Sequence, residues 1–583
     1  MKRFLFLIFA LFVLVSCGEE ETNVGSGVYS GKITQPINIK GQTGKIVEIT
    51  LDGADISCGG VALISAVDAE KLIITLADGS ENTLSVTSAF SADDKANAAI
   101  YAKCDVVFKG SGALTINNPY GHGIEAKDDL TFEGGSYNIT SLEHGVNAND
   151  SISVKDGAFV INSQKDGFHA ENEEDLKKGY IVIDKGTFDI TSALDGISAA
   201  AYMTLGDGSF NITAGGGVTE SVSRDFDLAQ MPEGMERPSR EHMAQMPEGT
   251  ERPSRGDMPQ MPEGAELPDI ENMPQRGQMG DKGQWGMKPD RQWGNESTSD
   301  TSTESMKGIK AGGVLTVNGG VYSISSADDC LHSNTDLKVL GGEFTLSSDD
   351  DAFHADSNLL FADGNVNVIT SYEALEGESI DIKGGSFTLV SSDDGLNAAG
   401  GADQSGFGKR GDMFGSTNSY INISGGNITL NANGDGIDSN GSLTVSGGDI
   451  LVLGPLSGGD APVDWQMSGE ITGGTVIAVG NSSMAMNFTK ATQCSVFIAL
   501  DSYVESGKSF QLMDSDGNVV LEKIVDKRYN CILVSTPDMK ENGSYTLVTE
   551  AAEHPFTLDG YTYSNKIGGF GGGFGGRGQK NIA

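Results

Sequence analysis

Apolar residues recur along the chain in two linked columns. The first stands in a small-residue corner, D-G-Φ-x-A with Φ apolar, and runs Ile124, Val146, Phe168, Ile197, Ile309, Leu331, Phe353, Leu375, Leu396 and Ile437. The second follows a glycine pair or its near equivalent and runs Tyr137, Phe159, Phe188, Phe210, Tyr322, Phe344, Val366, Phe387, Ile428 and Ile450, with an aliphatic residue two positions later. Together they define a unit of about 22 residues, as in YGHGIEAKDDLTFEGGSYNITS and NGDGIDSNGSLTVSGGDILVLG. A unit this short cannot bury its own apolar face and must stack on its neighbours. Period-2 alternation turns both columns inward, so the aromatics read as a core ladder and not as a sugar-stacking platform. The expected architecture is an all-β solenoid of ten coils plus a less regular N-terminal region, ~50–60 Å long at ~4.8 Å per coil.

Breaks in the period mark the organisation. Residues 27–482 read as the solenoid, with 27–100 as its irregular first coils. Glu171 to Lys178 lengthens one coil. Residues 222–305 hold three copies of a phrase beginning QMPEG, rich in Met, Pro and Gln and without periodicity, which predicts a disordered insertion. The repeat ends near Ser483, and 483–556 shows hairpin signals, with Asp516-Gly517 as a turn, expected to close the C-terminal edge as an antiparallel β module. A Gly-rich tail occupies 557–583.

The first residues, MKRFLFLIFALFVLVSC, have a basic start and an apolar core too short for a transmembrane span. They resemble a bacterial lipoprotein signal peptide, residues 1–16, with Cys17 as the lipidated mature N-terminus and 17–26 as an acidic tether. This implies the cell envelope, on the outer membrane or cell surface, with the lipid as the sole membrane contact. The remaining cysteines are odd in number and carry no paired C-x-x-C spacing; a Cys494–Cys531 bridge is left open.

Composition agrees with frequent turns and few helices: Gly 80, Pro 15, aromatics 7%. Acidic residues outnumber basic ones 81 to 39, a formal charge of −42, which argues against nucleic acid as partner and for cations. The acids are not scattered. The position before the corner glycine or its small equivalent reads His122, His144, Asp166, Asp195, Lys307, Asp329, Asp351, Glu373, Asp394 and Asp435, almost entirely acidic in its second half, where it is doubled by Asp328, Asp350 and Asp393, with Asp349 making a triple and Asp438 following. Carboxylates stacked at strand spacing repel by about 3.5 kcal/mol per adjacent pair at an effective dielectric near 20. Ca²⁺ is the expected counter-charge, since carboxylates, carbonyls and water fill its sphere without strict geometry; the alternative is that each Asp bonds the backbone of its own corner. The position after Φ is expected to face solvent. There and two residues on, His169, Glu171, His332, Asn334, His354, Asp356, Glu376 and Asn397 would line a polar face for a linear polysaccharide. The spacing of His169, His332 and His354 by whole coils argues against a metal triad among them.

The run IITLADGSENTLS, then NAAIYAKCDVVFKGSGALTINN, the repeated corners, the Met/Pro-rich insertion and the closing SYTLVTEA resemble a family of bacterial carbohydrate-binding, calcium-binding right-handed parallel β-helix proteins, similar in fold to pectate lyases. The resemblance spans most of 27–556. It implies a right-handed parallel β-helix, plant-wall-type or acidic glycans as ligands, and Ca²⁺ at acidic corners. Pectate-lyase chemistry would use an arginine base, but none lies between Arg3 and Arg224 or between Arg291 and Arg410. The reading is therefore a monomeric, non-catalytic, Ca²⁺-dependent polysaccharide binder. The alternatives are a pectate-type lyase, with Lys165, Lys307 or Lys310 as base, and an adhesin or structural rod without a glycan ligand.

Overall fold

The computed structural model describes residues 26–91, 96–175, 177–218, 305–398 and 418–565. The signal peptide, Cys17, the tether up to Gly25, nearly all of the 222–305 insertion and the tail beyond Asn565 lie outside these residues. Among the described residues there are 44 strands and no helix, and so no helix long and apolar enough to cross a membrane.

Each coil contributes three short strands, as in His122–Ala126, Asp129–Phe132 and Ser136–Ser141. Each strand pairs in parallel with its counterpart in the next coil. The third strands, for example, run in register from Ser136–Ser141 through Ala158–Ser163, Thr187–Ser192, Ser209–Ala214 and Val321–Ser326 to Glu343–Ser348. Register survives the departures from the period. Ile197 pairs with Ile309 across residues 219–304, and Ser379 pairs with Tyr420 across 399–417, a further excursion that the repeat pattern did not single out.

Both apolar columns are inside. The corner column is 0–2% exposed. The aromatic column stacks ring on ring: Phe159, Phe188, Phe210, Tyr322 and Phe344 follow one another at centroid separations of 5.2, 4.8, 4.7 and 4.8 Å, with planes within 8° of parallel. Two glycine positions make this packing possible. The second glycine of the pair has positive φ, as at Gly342 (119°), a conformation that L side chains rarely adopt. At the corner glycine the obstacle is space: a Cβ on Gly167 would stand 2.5 Å from the Gly196 carbonyl oxygen and 2.6 Å from Ile190 Cγ2. A buried serine closes several corners, as Ser141, Ser163 and Ser192 donate to the carbonyls of Glu143, Lys165 and Leu194.

At Ser468–Gly480 the stacking changes: its first half still pairs in parallel with Lys490–Ala491, while Val476–Gly480 takes the antiparallel strand Tyr529–Ser535, which in turn pairs with Ser495–Val504. A separate four-stranded antiparallel sheet holds Lys508–Asp514, Val519–Val525, Ser544–Val548 and Glu553–Thr557. The register answers the disulfide question. Ser495 lies opposite Ser535 and Ala499 opposite Cys531, so Cys494 is out of reach of Cys531, and both side chains are buried.

Candidate functional site

The first strand of each coil is only a few residues long and follows the corner directly, so the side chains before the corner glycine and three residues later meet. Asp329 Oδ2 lies 2.7 Å from His332 Nδ1, Asp351 Oδ2 3.0 Å from His354 Nδ1, and Asp166 Oδ2 2.6 Å from His169 Nδ1. Stacked coil on coil, the two positions make a double ladder of polar groups along one flank of the core, from His122 to Asp464.

One oxygen of each corner aspartate is structural, whereas Glu373 uses a carboxylate oxygen to accept from Asn397 Nδ2. Oδ1 of Asp166, Asp195, Asp329, Asp351 and Asp394 accepts the N–H of the next coil's corner residue, namely Asp195 (3.0 Å), Lys307 (2.8 Å), Asp351 (3.1 Å), Glu373 (3.2 Å) and Asp435 (2.6 Å); Asp435 accepts from Ala461 in the same way. The bond joins neighbouring coils and is not the own-corner turn weighed from the sequence. Oδ2 is left to face the second position.

The ladder changes chemistry along its length. At the N-terminal end it is imidazole: His122 stacks on His144 at 5.3 Å, and His144 on His169 at 4.3 Å. Burial pushes His122 down to about 4 and His144 down to about 2, so both rings are neutral at pH 7. Next, Lys307, 2% exposed, places Nζ 2.8 Å from Asp328 Oδ1 and 2.7 Å from Asp329 Oδ2. Burial raises the Asp329 carboxyl, but the Lys307 ammonium and the His332 bond overcome this and hold it well below the usual range. In the following coils His354 meets Asp351, Glu376 (2.8 Å) and Asp356 (3.2 Å); burial opposes its charge, but these bonds hold it protonated. Asp351 and Glu373 are pushed well up, first by burial and then by the Glu376 charge.

Past these internal cations the ladder is acidic apart from Asn397, whose Nδ2 donates to Glu373 Oε2 at 2.8 Å. Asp394, Asp435 and Asp438 bring carboxylate oxygens within 4.8 Å of one another, with Asp464 next in register. Burial, reinforced by neighbouring carboxylates, raises Asp394 well above its ordinary value, Asp435 to about 8 and Asp438 to about 6. Among the described residues no ammonium, guanidinium or imidazolium is paired with this group. Its all-oxygen donor set fits a hard cation such as Ca²⁺.

Several expected site residues are placed differently. His332, His354, Glu376 and Asn397 do not face solvent: they are 3%, 1%, 2% and 6% exposed. They point away from the apolar core, as alternation requires, but the corner acids cover them on one side. Asn334 and Asp356 reach across from two residues on to bond His332 and His354. His169 and Glu171 are half-buried, and Asn334 is exposed at the rim. Of the acids, Asp328, Asp329 and Asp350 gather, but the Lys307 ammonium already lies against Asp328 and Asp329. Asp351 groups with His354 and Glu376, and Asp166 with two histidines. Asp195 faces Lys310 at 4.0 Å, while Asp349 and Asp393 join none of these groups among the described residues.

The open, largely polar surface lies instead on the outside of the third strands, where outward positions read Ser136, Asn138, Thr140; Ala158, Val160, Asn162; Thr187, Asp189, Thr191; Ser209, Asn211, Thr213; Val321, Ser323, Ser325; Glu343, Thr345, Ser347, with Ala158, Val160 and Val321 as apolar interruptions. Most are exposed and uncharged, on a chain of formal charge −42. The alternating residues around each aromatic, GG-x-F-x-I-x-S, carried this signal in the sequence.

The profile of a family described as "Carbohydrate-binding domain-containing protein" matches residues 20–352 and 350–495. A carbohydrate-binding domain-containing protein of Acetivibrio thermocellus is 37% identical over 95 residues, 16% of this chain and 33% of the relative, so the chain spans about a third of the length of the curated relative it matches. Among solved structures, a gadolinium derivative of the polysaccharide lyase-like protein from C. thermocellum is 32% identical, with coverage of 33% of this chain and 79% of that one and a TM-score of 0.31.

Proposed function

The chain belongs to the carbohydrate-binding domain-containing family, and from that membership we propose a lipid-anchored envelope protein that binds polysaccharide without cleaving it. Its coils form a right-handed parallel β-helix, anchored through Cys17, with Ca²⁺ at the acidic end of the ladder. The observation that carries the reading is the exposed face of the third strands. Hydroxyls and amides on most coils, spaced by multiples of about 4.8 Å and interrupted by Ala158, Val160 and Val321, offer a linear chain many weak hydrogen bonds at a nearly neutral surface, so an acidic or plant-wall-type glycan meets little repulsion there. The rim residues Glu171, Asn334 and Asp356 belong to a different flank and are not needed for this contact. The absence of an arginine from the regular coils supports binding over elimination chemistry.

Affinity electrophoresis against a panel of polysaccharides, in Ca²⁺ and in EDTA, tests the reading. Thr187→Glu with Thr191→Glu, both outward and exposed, should weaken retention at least about tenfold, roughly 1.4 kcal/mol, with an unchanged melting curve. Equal retention of parent and variant would remove the face from consideration, and an unsaturated product from polygalacturonate would establish a lyase.

Calcium is separable by pH. Asp435 and Asp438 have folded pKa values raised above the unfolded ~3.9, so their contribution to stability is full below that value and is lost as pH rises through about 6 and about 8. In EDTA the melting temperature should therefore fall across this window. Ca²⁺ binds the ionised form and should flatten the fall, adding about 2.7 kcal/mol at a concentration of 100 Kd. Identical melting with and without Ca²⁺ at the alkaline end of the window would refute the site.

A further inference from the structure

The imidazole end of the ladder has a donor set unlike the acidic end. His144, Asp166 and His169 bring two imidazoles and one carboxylate within 4.8 Å of one another. Asp166 Oδ2 lies 3.4 Å from His144 Nδ1 and 2.6 Å from His169 Nδ1, while Asp166 Oδ1 is engaged by the Asp195 N–H. His169 Nδ1 is close to the carboxylate but off the line of a hydrogen bond, and it is a buried nitrogen without a hydrogen-bond partner. His144 Nδ1 accepts a long bond from the Asp166 N–H, 3.2 Å, which a metal at that nitrogen would replace.

A second observation points to a ligand. Asn147, 2% exposed, stands in register over His169 and three residues on from His144. Its Nδ2 donates to Glu171 at 3.4 Å, which leaves its buried Oδ1 without a partner. His122, 9% exposed and stacked on His144, likewise has an unpartnered Nδ1. Buried polar atoms are seldom left unpaired in native proteins, and two beside a two-histidine, one-carboxylate group call for a missing partner. Water would satisfy an amide oxygen, but imidazole nitrogens converging with a carboxylate are the donors that select a borderline transition ion over a hard one.

We propose that His144, Asp166 and His169, with Asn147 alongside, form a site for one divalent transition metal of the Zn²⁺ class, chemically distinct from the all-oxygen cluster at Asp394, Asp435 and Asp438. The ion ties two adjacent coils together, since His144 belongs to one and Asp166 and His169 to the next.

The test is calorimetric titration of the full chain with ZnCl₂ in the presence of millimolar CaCl₂. One equivalent should bind with Ca²⁺ present. Asp166→Asn, which keeps an acceptor for the Asp195 N–H, and His169→Gln should each weaken binding by more than about 100-fold, because loss of an outer-shell partner alone costs about 10–100-fold. Asp435→Asn should leave it unchanged. An anomalous difference peak at the zinc edge, in crystals of the parent protein, should lie between the three side chains and needs no variant to fold. The proposal is overturned by a peak elsewhere, by displacement of Zn²⁺ by Ca²⁺, by unaltered binding in a folded His144→Gln, His169→Gln double variant, or by loss of binding on His332→Gln instead.

Discussion

Replacing Lys307 by methionine is expected to destabilise the central coils by about 3–5 kcal/mol, the usual cost of removing one partner from a buried ion pair. The lysine is 2% exposed and Asp329 1%, so solvent cannot replace the lost charge. The remaining carboxylates, Asp328, Asp329 and Asp350, would repel one another at close range. The expected signature has two parts. Pairing Lys307→Met with Asp329→Asn should lose much less than the sum of the two single changes, because the charge left stranded is removed along with its partner. In Lys307→Met alone, millimolar Ca²⁺ should recover part of the loss, since the vacated place is lined by oxygen. Denaturant unfolding with and without Ca²⁺ measures both, and a Ca²⁺-independent loss would show that the lysine does not stand in for a metal.

Phe210→Ala is expected to cost a similar amount, about 3–5 kcal/mol, the range for truncating a buried aromatic. The ring is 1% exposed and lies between Phe188 and Tyr322 with planes 2° from parallel on both sides. Residues 219–304 stand between the strands that carry Phe210 and Tyr322, so this contact joins positions far apart in sequence. Closure entropy grows slowly with length, about 0.6 kcal/mol per doubling, and a well-packed ring can offset it. Because a coil touches only its neighbours, loss of hydrogen-exchange protection should be concentrated in Thr187–Ser192, Ser209–Ala214 and Val321–Ser326. Uniform loss along all coils would instead mean that the stack unfolds as one unit.

The interior was legible because it depends on one rule repeated without exception: every residue of the two apolar columns is turned inward by strand alternation. The polar ladder was half legible for the same reason. Alternation correctly turned His332, His354 and Glu376 away from the core, but away from the core is not the same as toward water. Exposure there depends on what lies beside the residue, and Asp329 before His332, with Asn334 after it, form a roof that a column-by-column reading does not see. The spacing Asp-x-x-His was present at Asp166, Asp329 and Asp351, but its meaning depends on the corner bringing i and i+3 together, a fact of backbone path and not of periodicity. Lys307 departs from the rule of its acidic column, and the sequence offered it only as a possible base of a lyase; in the coil its ammonium lies against Asp328 and Asp329 as their counter-charge. The neutral face escaped notice because each of its residues is ordinary, and only their shared exposure makes them a surface.

The carboxylate that reaches forward to the next corner N–H has a consequence for how this chain can be rearranged. The contact has a direction, so coils are not interchangeable parts: each must end with an acceptor that suits the one that follows. Where Lys307 breaks the sequence of acceptors, the Asp329 N–H is taken by Asp328 Oδ1 at 3.0 Å. A coil transplanted from behind a lysine to behind an aspartate would carry an acceptor too many, and the reverse exchange would strand a buried N–H at about 1–3 kcal/mol. Duplication or deletion of coils is therefore permitted only at joints where the two ends match.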